Sequence, residues 1–122
     1  MAIDKERRRS PRVDERVALS LSDAGTELRT ETRNLSASGA YCTLDRFLAP
    51  MTKLALRFEL ANGSRRVTIR CSGVVVRVEP VIASAERGQY HVAIFFTELA
   101  ERDRAAISRF VSQRLSAASS TT

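Results

Sequence analysis

Between Val13 and Phe96, hydrophobic and polar residues alternate along much of the chain, which is the pattern of half-buried β-strands. In the clearest run, every second residue from Leu54 to Leu60 is apolar, and the run ends at Asn62-Gly63, a strong hairpin signal. Five further runs have strand character, so about six strands are expected. These five predicted strands cover residues 13–21, 26–32, 40–44, 66–78 and 89–96.

The segments between and within these strands add detail. Residues 26–32 are polar on both faces, so this strand is predicted to pack weakly and to lie near a sheet edge. Gly73 interrupts the strand 66–78 and indicates a bulge or bend. Turns are predicted at Ser22–Gly25 and Asn34–Gly39, and a loop at Pro80–Gly88.

After Phe96 the period of the apolar residues changes to that of a helix. From Leu99 to Leu115 they fall mostly on one face, which predicts an amphipathic helix of about four turns. Short strands followed by one helix favour an all-β fold with a C-terminal helix, either an antiparallel barrel or a sandwich. The expected organisation is a basic N-terminal arm at 1–12, one domain at 13–115 and a frayed polar tail at 116–122.

Charge favours anionic partners. The net charge is +6, from 20 basic and 14 acidic residues, which suits nucleotides, nucleic acid or acidic lipid. Residues 1–16 contain no apolar stretch of the kind found in a signal peptide. No run approaches the roughly 20 apolar residues of a membrane span. The protein is therefore expected to be cytoplasmic.

Catalytic chemistry finds little support. His91 lies within a predicted strand with no acid or nucleophile beside it in sequence, and no nucleotide-binding glycine motif is present. Cys42 and Cys71 lack the spacing of a zinc site and are predicted to be buried free thiols. We therefore expect no enzyme and no metal. A nucleic-acid binder is disfavoured because Tyr41, Tyr90 and the phenylalanines mostly occupy core-parity positions.

Two short clusters point instead to a bound ligand. Residues 7–12 contain four arginines, and the planar guanidinium can grip phosphate oxygens or a guanine edge with two hydrogen bonds. Asn34–Gly39 reads Asn-Leu-Ser-Ala-Ser-Gly, a turn that can present polar side chains and backbone N–H groups to a base or a phosphate. Leu35 is predicted to turn inward and anchor this loop, and Gly39 to take a positive φ.

Together these clusters resemble the PilZ domain family. That family has an Arg-x-x-x-Arg motif before its first strand, matched here by Arg8 and Arg12, and an (Asp/Asn)-x-Ser-x-x-Gly motif, matched by Asn34–Gly39. Arg12 and Arg16 fit the first spacing as well; the Arg8 register places Val13 directly after the motif. The similarity extends over nearly the whole chain, including Val74–Arg77 and the final helix.

The resemblance implies a six-stranded antiparallel β-barrel with a C-terminal helix that binds cyclic di-GMP, a bacterial second messenger. By analogy, Arg8 and Arg12 contact guanine edges and phosphates, and the turn surrounds a guanine from the barrel surface. Arg77 is placed near the ligand. Val76 stands where some members carry an aromatic residue, so a stacking contact is missing. The turn residues so assigned are Asn34, Ser36 and Gly39.

The resemblance also bears on stoichiometry and output. In the family, an arginine just before the first motif goes with two intercalated cyclic di-GMP molecules and an apolar residue with one. That residue is Arg7, which predicts two; in the alternative register it is Pro11, which predicts one. Signalling is expected through an effector protein. The alternative is a protein-interaction module of the same fold that does not bind nucleotide.

Overall fold

The computed structural model describes residues 11–82 and 88–120 of the 122-residue chain. Within these ranges the chain forms seven β-strands and one α-helix. They are β1 (Arg12–Val13), β2 (Ala18–Asp23), β3 (Thr26–Ser36), β4 (Gly39–Leu44), β5 (Lys53–Asn62), β6 (Arg65–Pro80), β7 (Tyr90–Glu98) and α1 (Glu101–Ser120).

Six of the strands close into an antiparallel barrel. Their order is β3-β2-β5-β6-β7-β4, and pairing of β4 with β3 completes the ring. The two-residue β1 is an addition, since it pairs only with the end of β3. The predicted six-stranded barrel with a C-terminal helix is thereby confirmed.

The alternation that predicted the strands is the alternation of burial. Along β5 the inward residues from Leu54 to Leu60 are at most 3% exposed, while their neighbours face solvent. Helix α1 adds its apolar face to the same core. Each fully buried Val, Leu, Ile or Phe side chain contributes about 1.5–3 kcal/mol to the free energy of unfolding, so the core is the main source of stability. The helix residues in the core are Ala106, Ile107, Phe110 and Val111.

The β5–β6 hairpin confirms the Asn-Gly signal, with a shift of one residue. Asn62 is still in the ladder, opposite Arg65, so Gly63 and Ser64 form the two-residue loop. Gly63 has φ +66, a conformation that glycine adopts without strain. Gly73 lies at a register shift between β6 and β7, as the predicted bulge requires.

The strand predicted at 13–21 is in fact two strands, and Thr32 explains the break. The backbone N–H of Val17 donates to Oγ1 of Thr32 over 2.9 Å, and the Thr32 hydroxyl donates to the carbonyl of Glu15 over 2.5 Å. A side chain thus replaces the strand ladder between β1 and β2. Both strands still pair with β3, at different points along its length.

β3 was wrongly predicted to be a short strand near an edge. It is 11 residues long and is paired on both sides. Its polarity has another origin, since Thr30 and Thr32 occupy inward positions. Their hydroxyls are satisfied by backbone carbonyls, that of Thr30 by Thr43 over 2.6 Å. Polar inward residues therefore did not mark an edge.

Helix α1 begins later and ends later than the sequence predicted. It starts at Glu101 rather than Leu99 and continues to Ser120, through part of the segment expected to be a frayed tail. Leu115, assigned to the buried face, is 40% exposed. Within the part of the chain that is described, no helix combines the length and apolar character needed to cross a membrane.

Candidate ligand-binding surface

The Asn34–Gly39 segment is less of a turn than the sequence indicated. Asn34 to Ser36 complete β3, and Gly39 opens β4, which leaves only Ala37 and Ser38 to reverse the chain. Leu35 is fully buried, so its predicted role as the anchor is confirmed.

Ser36 is not exposed as expected. Its side chain is only 6% exposed, and its Oγ accepts hydrogen bonds from the backbone N–H groups of Ser38 at 3.1 Å and Gly39 at 3.3 Å. This is a serine holding its own turn in shape. The hydroxyl is therefore a positioning group for the loop, rather than an exposed group on its surface.

Gly39 is needed for a different reason from the one predicted. The positive-φ glycines among the described residues are Gly25, Gly63 and Gly88, so Gly39 is not one of them. A Cβ at Gly39 would instead lie 2.2 Å from the carbonyl oxygen of Ile94 in β7. The neighbouring Ser38 carbonyl accepts from the Phe96 N–H over 2.9 Å, which fastens the turn to β7. Glycine is required at position 39 because the backbones of β4 and β7 approach too closely to leave room for a side chain.

The barrel brings Asn34 and Arg77 onto one outer face. Asn34 lies opposite Tyr41, Tyr41 opposite Ala93, and Ala93 opposite Arg77. Directly paired residues project to the same side of a sheet, and Tyr41 faces outward because Ala40 and Cys42 face the core. The row spans four strands, or about 14 Å at the usual strand spacing.

A second outer row adjoins the first. Arg12 in β1 lies opposite Ser36, and Gly39 lies opposite Phe95, which pairs in turn with Val74. Arg12 is thereby placed beside the turn, although it precedes its partner Ser36 by 24 positions in the sequence. We call the two rows together the binding face. Its residues are Arg12, Asn34, Ser36, Gly39, Tyr41, Val74, Arg77, Ala93 and Phe95.

Two cations of the binding face are uncommitted. Arg12 and Arg77 are exposed, and neither forms an ion pair with a carboxylate of the described residues. Val76, beside Arg77, is the extra residue at a register shift and is 52% exposed. The other predicted arginines, Arg7 and Arg8, lie outside the described residues.

Aromatic residues on the binding face were missed. The sequence interpretation placed most aromatics at core positions, but Phe95 is 51% exposed and lies beside Gly39, which offers no side chain to cover it. Tyr41 stacks on His91 with 5.6 Å between ring centroids, and His91 Nδ1 is 3.2 Å from the Thr43 hydroxyl. The inward parity of Cys42 and Leu44 was the signal that Tyr41 faces outward.

Helix α1 contacts two segments that adjoin the binding face, the turn after β3 and the connection after β1. Arg104 donates from Nη1 to the Ala37 carbonyl over 3.1 Å, and so holds the turn. Arg114 pairs with Glu15 at 3.2 Å, in the connection that follows β1, and lies over the Phe110 ring at 4.3 Å. Nothing in the sequence pattern pointed to these contacts, because 67 and 99 residues separate the partners.

Both cysteines are free thiols. Burial raises the pKa of the Cys42 thiol to about 12, and burial with the nearby Asp103 carboxylate raises that of Cys71 to about 11. Neither thiol is a thiolate near neutral pH, and the thiolate is the nucleophile. Among the described residues, no three histidines, cysteines or carboxylates are grouped as a metal site would require. The binding face itself presents exposed arginines, polar groups and aromatic rings, which are groups that can hold an anion.

Comparison with known protein families gives a match over most of the chain. The sequence matches the model of the PilZ domain over residues 6–113. A comparison with curated proteins finds no match to this chain.

Similar folds occur in solved structures. The inhibitor of motility MotI (DgrA) of Bacillus subtilis has a TM-score of 0.79 and 22% identity, covering 88% of this chain and 51% of its own. The PilZ domain of YcgR from Escherichia coli, solved with c-di-GMP, has a TM-score of 0.67 and 16% identity, covering 94% and 96%. MrkH of K. pneumonia has a TM-score of 0.72 and 16% identity, covering 89% and 49%. The chain thus spans about half the length of MotI and MrkH.

Proposed function

Because the chain belongs to the PilZ domain family, we propose that it is a receptor for cyclic di-GMP that signals through a partner protein. The observation that carries this proposal is the juxtaposition of the two motifs, since Arg12 lies opposite Ser36 in the sheet. Exposed arginines at both ends of the binding face suit a ligand with two phosphates and two guanines.

The residues divide into two roles in this proposal. Arg8 and Arg12 bind guanine edges and phosphates, Asn34 presents its amide to a guanine, and Arg77 closes the far end of the surface. Ser36 and Gly39 act by holding the turn, because one is hydrogen-bonded within it and the other permits its contact with β7. Phe95 adds an apolar ring surface beside Gly39 on which a base can stack.

Binding is proposed to act as a switch of order in the N-terminal arm. Ligand phosphates attract the arginines of residues 7–12 and draw the arm across the binding face, which changes the surface shown to an effector. Helix α1 shares this change through Arg104 and Arg114. We propose that the protein works in the cytoplasm, as a receptor rather than an enzyme.

The proposal is tested by calorimetric titration of the chain with cyclic di-GMP. Arg12→Ala should weaken binding about ten- to a hundredfold, the loss of one charge-assisted contact, and Arg8→Ala should do the same. Both variants should keep the wild-type thermal midpoint, since Arg12 is exposed.

Arg29→Ala is the matched control, because Arg29 is an exposed arginine of β3 that does not belong to the binding face. It removes the same charge and should leave the affinity within about twofold. Absence of any binding heat in the wild type would instead favour the interaction module that ignores nucleotide.

A further inference from the structure

A second surface of the barrel lies away from the binding face, between β6 and helix α1. β6 pairs with β7 only from Ser72 onward, so its first part, Arg65–Cys71, has a partner on one side alone. Residues of this part of β6 and of helix α1 line one groove. The two elements enclose a groove of about 740 Å³, which we call the edge groove.

The edge groove is lined by four arginines. Arg65 and Arg70 come from β6, and Arg102 and Arg109 come from α1, seven residues apart and so on one side of the helix. None of the four is within ion-pair distance of a carboxylate in the described part of the chain. Asp103 also lines the groove, which leaves a formal charge of +3 from these five groups.

The same groove exposes backbone that is able to pair. In an antiparallel ladder, alternate residues direct N–H and C=O toward each neighbouring strand, so alternate residues of Arg65–Cys71 direct theirs into the groove. Among the described residues, no backbone hydrogen bond from this stretch goes to anything but β5. Seven residues of free edge extend about 23 Å, enough for a short strand.

We propose that the edge groove binds an extended acidic segment of a partner protein. The segment adds as a strand to β6 through main-chain hydrogen bonds, and its Asp and Glu side chains pair with the arginines of β6 and α1. Charge complementarity selects this occupant. A second copy pairing through its own β6 would set Arg70 near like charges, and the chain's own residues 7–9 are all arginine.

The probe is a fluorescein-labelled decapeptide of alternating Glu and Thr, titrated with the full chain and followed by fluorescence anisotropy. We expect saturable binding that weakens about tenfold in Arg70→Ala/Arg109→Ala and in Arg65→Ala/Arg102→Ala. The matched control, Arg16→Ala/Arg29→Ala, removes the same charge from exposed positions outside the groove and should bind as the wild type does. Circular dichroism checks that each variant is folded.

Two further probes separate strand addition from charge alone. A decapeptide of alternating Glu and Pro has the same charge but lacks alternate N–H groups, and should bind at least about tenfold more weakly. Equal binding of the two peptides would overturn the proposal, as would equal losses in the groove and control variants. Tighter binding of a short DNA duplex would reassign the groove to nucleic acid. Failure of the Glu-Thr peptide to bind would also overturn the proposal. The arginines would then act only to prevent aggregation through the open edge of β6.

Discussion

Gly39 shows how one position joins the turn to the barrel. Its hydrogen occupies the space where a Cβ would meet the Ile94 carbonyl at 2.2 Å, and backbone cannot move aside as a side chain can. Any side chain there must push β4 away from β7, and with it the turn that Ser36 holds. The effect on the ligand surface therefore comes through displacement rather than through a lost contact.

Gly39→Ala is expected to lower the free energy of unfolding by about 3 kcal/mol, the upper part of the range for overpacking. Gly25→Ala is the control, because Gly25 has φ +88 but nothing within 4 Å of a Cβ, so it should cost only about 1 kcal/mol. Urea unfolding of the two variants and the wild type measures both values. Equal losses of unfolding free energy in the two variants would mean that the close approach of Gly39 to β7 does not contribute to stability.

The short strand β1 depends on β3 for its position. It has two residues, too few to persist alone, yet it carries Arg12 of the binding face. The connection after it is fixed by Thr32, which is fully buried and serves Glu15 and Val17 at once. The position of Arg12 therefore depends on the hydrogen bonds of Thr32 in β3.

Thr32→Val keeps the shape of the side chain and removes the hydroxyl. The Val17 N–H and the Glu15 carbonyl lose their partner, so we expect a loss of about 1–3 kcal/mol in the free energy of unfolding. Amide hydrogen exchange should rise locally at Val13 and Val17. Thr26→Val, at an exposed position in the same strand, should change neither the free energy of unfolding nor the exchange rates. A comparable loss of stability in Thr26→Val would mean that the effect of Thr32→Val comes from strand propensity and not from the lost hydrogen bonds.

The sequence predicted those elements in which burial alternates with solvent exposure, such as β5, because periodicity reports burial directly. It could not predict that Thr30 and Thr32 face inward, since their hydroxyls are satisfied by residues distant in sequence. The motif residues were found by type, but the burial of Ser36 within its turn and the exposure of Phe95 depend on the pairing of β3, β4 and β7. Arg104 was missed because its partner is a backbone carbonyl.

For the protein as a whole, the ratio of bound ligand to chain is the quantity that Arg7 is proposed to determine. Two stacked cyclic di-GMP molecules bring four phosphates together, and Arg7 would offset part of their repulsion while bonding a second guanine. We expect two ligands per chain and one in Arg7→Leu, read from the equivalence point of a titration at known protein concentration. A ratio of one for the wild type supports the Arg12–Arg16 register, and a ratio of two that persists in Arg7→Leu removes Arg7 as the cause.

The pairing of β4 with β7 also has a consequence for biosynthesis. β4 is complete at Leu44, but its neighbour β7 begins only at Tyr90, so Ala93 and Phe95 of the binding face are made only when the ribosome has nearly finished the barrel. A nascent chain that stops before Tyr90 has the Asn34–Gly39 segment without the Ile94 carbonyl and the Phe96 N–H against which it seats. Contacts over such long separations form late, because loop closure must precede them. If the chain is the receptor proposed above, it becomes able to bind the ligand only when β7 is in place, and a product truncated before Tyr90 would not bind.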